Sequence, residues 1–372
     1  MVPYIAAFTI AYIFAFLSES RSVRKTKILS YLFLFFAAAI ISLLAALRAD
    51  TIGTDVKTYV IKYFNEAGNS NSFIKYLAFL PDEAVEPGYK LFNYIIARFT
   101  DDIRVLLFLI SLFDVSFVLA YLLENKKKLS VSFGLLVYMF MQYNIGFNAV
   151  RQTMAVCVCL YSFNAARDRK LIKFIILMAI ALSFHISAVI MIISYPLAAI
   201  FEKRTKQDKN KLIFIITSVS VVILICINTI IAFFVRAGLF PEKFNQYKGA
   251  NFSISRFSAF IFLIPAFILF LLYKKKYFAN DKFNAVLFLY VILWPITAQL
   301  DSVSNQLGRI AFYFNIANIG IYAQLPKIKH SVRNKTTIKI ITLLIAIFLF
   351  FYWFMNYCVW NVGQTVPYVF RK

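Results

Sequence analysis

The chain has 372 residues, 61% of them hydrophobic, with 42 Phe and 22 Tyr; 40 Lys and Arg face 17 Asp and Glu, a net charge of +23. Apolar runs long enough to cross about 30 Å of hydrocarbon recur throughout, which excludes a soluble domain. They are continuous rather than alternating, which excludes a membrane β-barrel and leaves an all-α, polytopic integral membrane protein.

The basic surplus lies in short islands between apolar runs: Arg21–Lys27, Lys126–Lys128, Arg167–Lys173, Lys203–Lys211, Lys274–Lys282 and Lys327–Lys339. That distribution marks cytoplasmic loops and argues against nucleic-acid binding. Cys157, Cys159, Cys226 and Cys358 show neither metal spacing nor a disulfide framework, and neither metal nor cofactor is expected.

Hydropathy and the islands predict about twelve transmembrane helices in a single membrane domain, 1–372. Helix 1, Val2–Leu17, is followed rather than preceded by its charges, the reverse of a signal peptide, so its start is expected outside. Helix 2 spans Leu29–Leu47. The outer segment Arg48–Asp102 is too long and patterned for a plain connector and predicts two amphipathic helices on the outer face. Asp55, Tyr59 and Lys62 share one face of the first by spacing, and Pro87 opens the second. Helices 3, 4 and 5 are Ile103–Leu123, Leu129–Tyr143 and Gln152–Ala166. The run Leu171–Phe201 has basic islands at both ends, so it must cross twice, as two short helices turning near Ser183–Ser187, with His185 at the turn. Helix 8, Leu212–Val235, leads to a second outer loop, Arg236–Arg256. Helices 9 to 12 are Phe257–Tyr273, Phe283–Leu300, Arg309–Leu325 and Ile340–Phe354, and the segment Met355–Lys372 ends outside.

Polar residues away from the islands collect at the outer helix ends: Arg48, Asp55, Glu86, Asn148, Arg151, His185, Arg256, Asp301 and Arg309. The arginine fork of donors suits phosphate oxygens. A histidine or carboxylate beside it could take a proton from a hydroxyl. Tyr59, Tyr63, Tyr89, Tyr143, Phe147 and Tyr247 could stack on sugar faces. Each has a plainer reading. Arg151, Arg256 and Arg309 could snorkel to the interface, His185 could be a hydrogen-bonded turn residue, and Asp55 and Glu86 could start helices. Asp114, inside helix 3, is given no role.

Four motifs carry a family resemblance: R-x-x-x-x-G-T-D at Arg48–Asp55, E-P-G-Y at Glu86–Tyr89, N-x-x-R-Q-x-x-A at Asn148–Ala155 and S-F-H-x-S-A at Ser183–Ala188. In order and spacing they resemble the EpsG family of Wzy-type polysaccharide polymerases, most clearly over the first two thirds of the chain. The resemblance implies a membrane glycosyltransferase that joins oligosaccharide repeat units, donor and acceptor both carried on undecaprenyl pyrophosphate. It implies action at the outer face of the bacterial inner membrane, with a flippase and a chain-length regulator nearby. On that reading Arg48, Tyr59, Tyr89, Asn148, Arg151, Gln152, Arg256 and Arg309 bind pyrophosphate or sugar. His185 is the first choice of general base, with Asp55 and Glu86 as rivals. An O-antigen ligase, a flippase or transporter for the same lipid-linked sugar, and a membrane acyltransferase are the competing functions. The ligase is disfavoured because the longest outer segment comes early, the transporter because no halves repeat, and the acyltransferase because His185 is expected to face outward.

Overall fold

The computed structural model describes residues 1–79, 85–226, 284–302, 304–328 and 332–371, with a few isolated positions between 229 and 271. The described residues are helical, and the extended pairing among them is one isolated antiparallel bridge, Arg48 to Phe370. They group into two compact units, Met1–Tyr195 with Tyr322–Lys372, and Pro196–Ile321.

The first unit contains α1 (Val2–Ser18), α2 (Lys27–Ala46), α3 (Ile61–Asn69), α4 (Pro87–Ile96), α5 (Ile103–Glu124), α6 (Val131–Met141), α7 (Val150–Arg167) and α8 (Leu171–Phe184). The helix α9 (Ser194–Lys203) leaves it, and α10 (Val332–Trp353) belongs to it. Helix α1 packs on α2 and α6, α2 on α5, α5 on α7, and α7 on α8. Both helices bury small residues, Ala7, Ala11 and Ala15 in α1 and Ala37, Ala38 and Ala45 in α2. Small side chains let apolar helices approach closely where lipid gives no hydrophobic drive between them. The outward faces keep large apolar groups exposed, among them Phe35, Leu343, Ile347 and Phe351, as a lipid-facing surface requires.

Helix α7 is the centre of this unit. Apart from Arg151, Tyr161 and Arg167 its residues are buried. One end bears Arg151 and the other Arg167, so the basic residues near Asn125 and Arg167 stand at the opposite end of the bundle from Arg151.

The expected break in Leu171–Phe201 is present. Helix α8 stops at Phe184, His185 is extended, and a 3-10 helix over Ile186–Ile193 leads into α9. The chain reverses there. Tyr195 returns to the start of α8, where its hydroxyl donates to the Arg169 carbonyl at 3.1 Å and its ring lies 5.2 Å from Phe174.

The second unit includes Lys206–Ile225, which packs against Asn284–Ala298, and the short helix Ala311–Asn315. The expected helix 11, Arg309–Leu325, is broken into short turns. The Asn318 amide donates to the Asn315 carbonyl at 2.8 Å, a side chain competing with the helical ladder. All but Phe267 and Leu271 of expected helix 9, and all but Arg236 of the second outer loop, lie outside the described residues. Among the described residues five helical segments are long and apolar enough to cross a membrane: Lys27–Ala46, Ile103–Glu124, Ile186–Lys203, Asn284–Asp301 and Lys335–Val359. Val2–Ser18, Val131–Met141 and Leu171–Phe184 are shorter apolar helices, so these residues support a helical membrane protein without reaching twelve crossings.

At the end of the bundle away from Arg151, Glu19 follows α1 and caps α6. Its carboxylate accepts from Val131 N at 3.1 Å, Ser132 N at 3.0 Å, and the hydroxyls of Ser130 and Ser132 at 2.8 and 2.6 Å, with Lys327 Nζ at 3.2 Å. Burial pushes this carboxyl's pKa up, but the Ser132 bonds, Lys327 and Ser130 outweigh it and the net shift is downward. A lowered folded-state pKa stabilises at pH above the ordinary glutamate range and loses that contribution as pH falls through the lowered value. Glu19→Ala is therefore expected to cost about 2–3 kcal/mol at neutral pH. Thermal unfolding of the detergent-solubilised protein checks it: the gap from wild type should narrow on acidification.

Candidate active site

The start of α7 has no side-chain cap of its own, since its N-cap is Ala149. Asp55 supplies one from another part of the chain: its Oδ2 accepts from Val150 N at 3.0 Å and from the Tyr59 hydroxyl at 2.6 Å. A carboxylate at a helix N-terminus satisfies an orphan N–H and meets the positive end of the dipole. Burial and the neighbouring carboxylate raise the Tyr59 pKa well above its ordinary value, so the phenol stays a donor. Thr54 N donates to Asn148 Oδ1 at 2.9 Å, fastening the same turn to the residue before the helix. Gly53 makes the approach possible. Its φ of +82° is open to glycine, and a Cβ there would run into the Phe147 carbonyl.

Arg151, one residue into the helix, lies over the Tyr59 ring at 4.6 Å and donates from Nη1 to Glu86 Oε2 at 2.5 Å. The Arg151 and Glu86 side chains are 13% and 18% exposed, reachable from outside yet largely desolvated. Glu86 precedes Pro87 at the start of α4, and its other oxygen accepts from Ile186 N at 3.2 Å, just past the α8 break. Gly88 lies so close to Ser183 that a Cβ would overlap it, which is why E-P-G-Y and S-F-H come together. His185 Nδ1 accepts from the Ser187 hydroxyl at 2.6 Å and from Ser187 N at 3.3 Å, so the ring caps the 3-10 helix. With Nδ1 accepting, this hydrogen bonding assigns the neutral imidazole's proton to Nε2. Gln152 Nε2 reaches Ser187 Oγ at 3.4 Å.

Arg48 is 3% exposed, donates from Nη1 to the Ala45 carbonyl at 2.7 Å and covers the Phe147 ring at 4.0 Å. Burial lowers its pKa, and its charge, like that of Arg151, acts on Tyr89. Residues 365–371 hold the Arg48 segment from above. Ala49 N donates to Val369 O at 2.8 Å, Arg371 N to Leu47 O at 2.9 Å, and Arg371 pairs with Asp50 at 3.1 Å. Asn144 joins Thr365 Oγ1 at 2.9 Å and Trp353 Nε1 at 2.8 Å.

The structure thus gathers Asp55, Tyr59, Glu86, Tyr89, Asn148, Arg151, Gln152 and His185, with Arg48 packed beneath. Several expectations change. The aromatics Tyr59, Tyr63, Tyr89, Tyr143 and Phe147 are buried, at 4% exposure or less, so they support the charged groups and offer sugars no open face. Lys62 is exposed and leaves the Asp55–Tyr59 face, because Val56–Val60 is a π-helical turn whose wider winding advances the register and buries Tyr63 instead. Arg256 and Tyr247 lie outside the described residues, and Arg309 belongs to the second unit. Asp114 is buried in α5, with Oδ1 unbonded among the described residues. Ser187 as the histidine's partner, and the clamp by residues 365–371, were not anticipated; the S-F-H-x-S spacing was the available signal for the first.

Gly53→Ala forces a left-handed alanine against the Phe147 carbonyl and is expected to cost about 1–3 kcal/mol of stability. A lower thermal midpoint in detergent would register it, and an unchanged midpoint would contradict the close approach.

No curated protein and no solved structure matches the chain. A family model does, over residues 31–370, a span that holds all four motifs and all but Arg371 of the residues clamping Arg48. The chain belongs to the EpsG family, whose members are Wzy-type polysaccharide polymerases.

Proposed function

We propose that the protein extends a polysaccharide by joining oligosaccharide repeat units carried on undecaprenyl pyrophosphate, with Arg151 gripping the pyrophosphate. The observation that carries this reading is the Arg151–Glu86 pair at the start of the central helix, largely desolvated yet reachable from outside. A guanidinium held by one carboxylate can exchange it for phosphate oxygens, which accept its fork of donors equally well. The basic residues near Asn125 and Arg167 lie at the opposite end of the bundle, and the positive-inside rule then turns Arg151 toward the outer face of the inner membrane.

In this mechanism the pyrophosphate of the growing chain displaces Glu86 from Arg151. The acceptor hydroxyl oxygen bonds to the donor's anomeric carbon, and the bond from that carbon to the pyrophosphate oxygen breaks. The hydroxyl proton passes to the released Glu86 carboxylate. Undecaprenyl pyrophosphate leaves with the bonding pair, its charge held by Arg151 and by donation from His185 Nε2. Asp55 positions α7, because its Oδ2 already serves Tyr59 and Val150. Arg48 supports the field from below. A flippase supplying the lipid-linked units and a regulator of chain length fit the same reading.

Ladder gels of surface polysaccharide, with protein level in the membrane measured alongside, test the assignment. Arg151→Ala is expected to reduce polymer on the order of a hundredfold or more, and Arg151→Lys should not restore it fully, since a point charge lacks the fork. Glu86→Gln should likewise abolish long chains, while His185→Gln, which keeps a donor, retains part of the ladder. A normal ladder from well-inserted Arg151→Ala overturns the proposal.

A further inference from the structure

A second charged concavity lies in the first unit, at the opposite end of α1 from the site. It is a groove of about 960 Å³ between α1, α6 and α10. Its walls are apolar, with Phe16 of α1, Leu136 of α6, and Leu343 and Ala346 of α10. Its mouth is cationic, with Lys327, Lys335 and Lys339. Glu19 also lines it, but that carboxylate is spent on Lys327 at 3.2 Å and on the start of α6. Lys335 and Lys339 are exposed, stand one turn apart on one face of α10, and have no acidic partner among the described residues. From Lys335 to Ala346 the helix rises about 16 Å, so the groove is charged at one end and apolar along the rest.

We propose that this groove binds an anionic phospholipid of the surrounding bilayer, its phosphate between Lys335 and Lys339 and an acyl chain along Leu343 and Ala346. The charge pattern selects the occupant. Two ammonium groups with no acidic partner among the described residues favour an anion, the apolar wall favours a chain, and basic pockets between membrane helices take up such headgroups. A zwitterionic lipid would bring its own ammonium group toward the lysines, and a free phosphate would leave the wall of Phe16 and Leu343 uncovered. The lipid would tie α10 to α1 and α6 at this end, as Glu19 and Lys327 do by direct contact.

The test is native mass spectrometry of the full-length protein in neutral detergent, titrated with phosphatidylglycerol, with phosphatidylcholine, and with inorganic phosphate as competitor. Wild type is expected to retain phosphatidylglycerol in preference to phosphatidylcholine. Lys335→Gln with Lys339→Gln is expected to weaken that retention about 30-fold, and Leu343→Trp, which fills the groove and keeps the charge, should also weaken it. Thermal midpoints without lipid establish that both variants are folded. Equal retention of the two lipids, an unchanged titration in both variants, or displacement by inorganic phosphate as effective as by free phosphatidylglycerol would each overturn the proposal.

Discussion

A guanidinium withdrawn from water must be met by acceptors and ring faces at once, and this requirement organises the first unit. Arg151 and Arg48 are both largely shielded, and neither is satisfied by its own helix alone. Arg151 takes Glu86 from the start of α4 and the ring of Tyr59 from the preceding π-helical turn. Arg48 takes a carbonyl of its own turn and the ring of Phe147. Because a buried charge left unpaired costs several kcal/mol, stretches separated by scores of residues are bound to meet here. The four motifs are the parts of that meeting: two glycines that let backbone come close, two carboxylates that accept, and the arginines themselves.

The central helix divides the work. Its buried body, from Gln152 to Ala166, supplies packing, while its first turn presents Arg151, the one residue there that is not buried. Asp55 secures this first turn in place of the missing cap. The helix cannot rotate without breaking the Val150 bond and moving the guanidinium off Tyr59. The reversal at His185 serves the same end from the other side, since one backbone N–H past the break holds the second oxygen of Glu86.

Much of this was legible in the sequence. Apolar length gave most helices within a few residues, and the basic islands flanking Leu171–Phe201 forced a break where His185 sits. The motif residues pointed to one place because each is costly in lipid unless it has a partner. The rest was hidden for physical reasons. A π-helical turn leaves no mark in apolar spacing, so Lys62 was put on the wrong face. Asn318 capturing the Asn315 carbonyl depends on local competition that hydropathy does not measure. The role of Glu19 left no local signal, because the helix start it caps is more than a hundred positions away. The plain reading of Asp55 as a cap was right in kind, but the helix concerned is α7 and not its own.

The pairing of the Arg48 segment with residues 369–371 also has a temporal side. Ribosomes add about 5–20 residues each second, so some 320 intervening residues leave Ala49 and Leu47 waiting roughly 15–60 s for their partners. Until then the backbone groups around Arg48 must be served by water or by the insertion machinery. The rim around Arg48 would therefore set last, after the helices beneath it are already threaded.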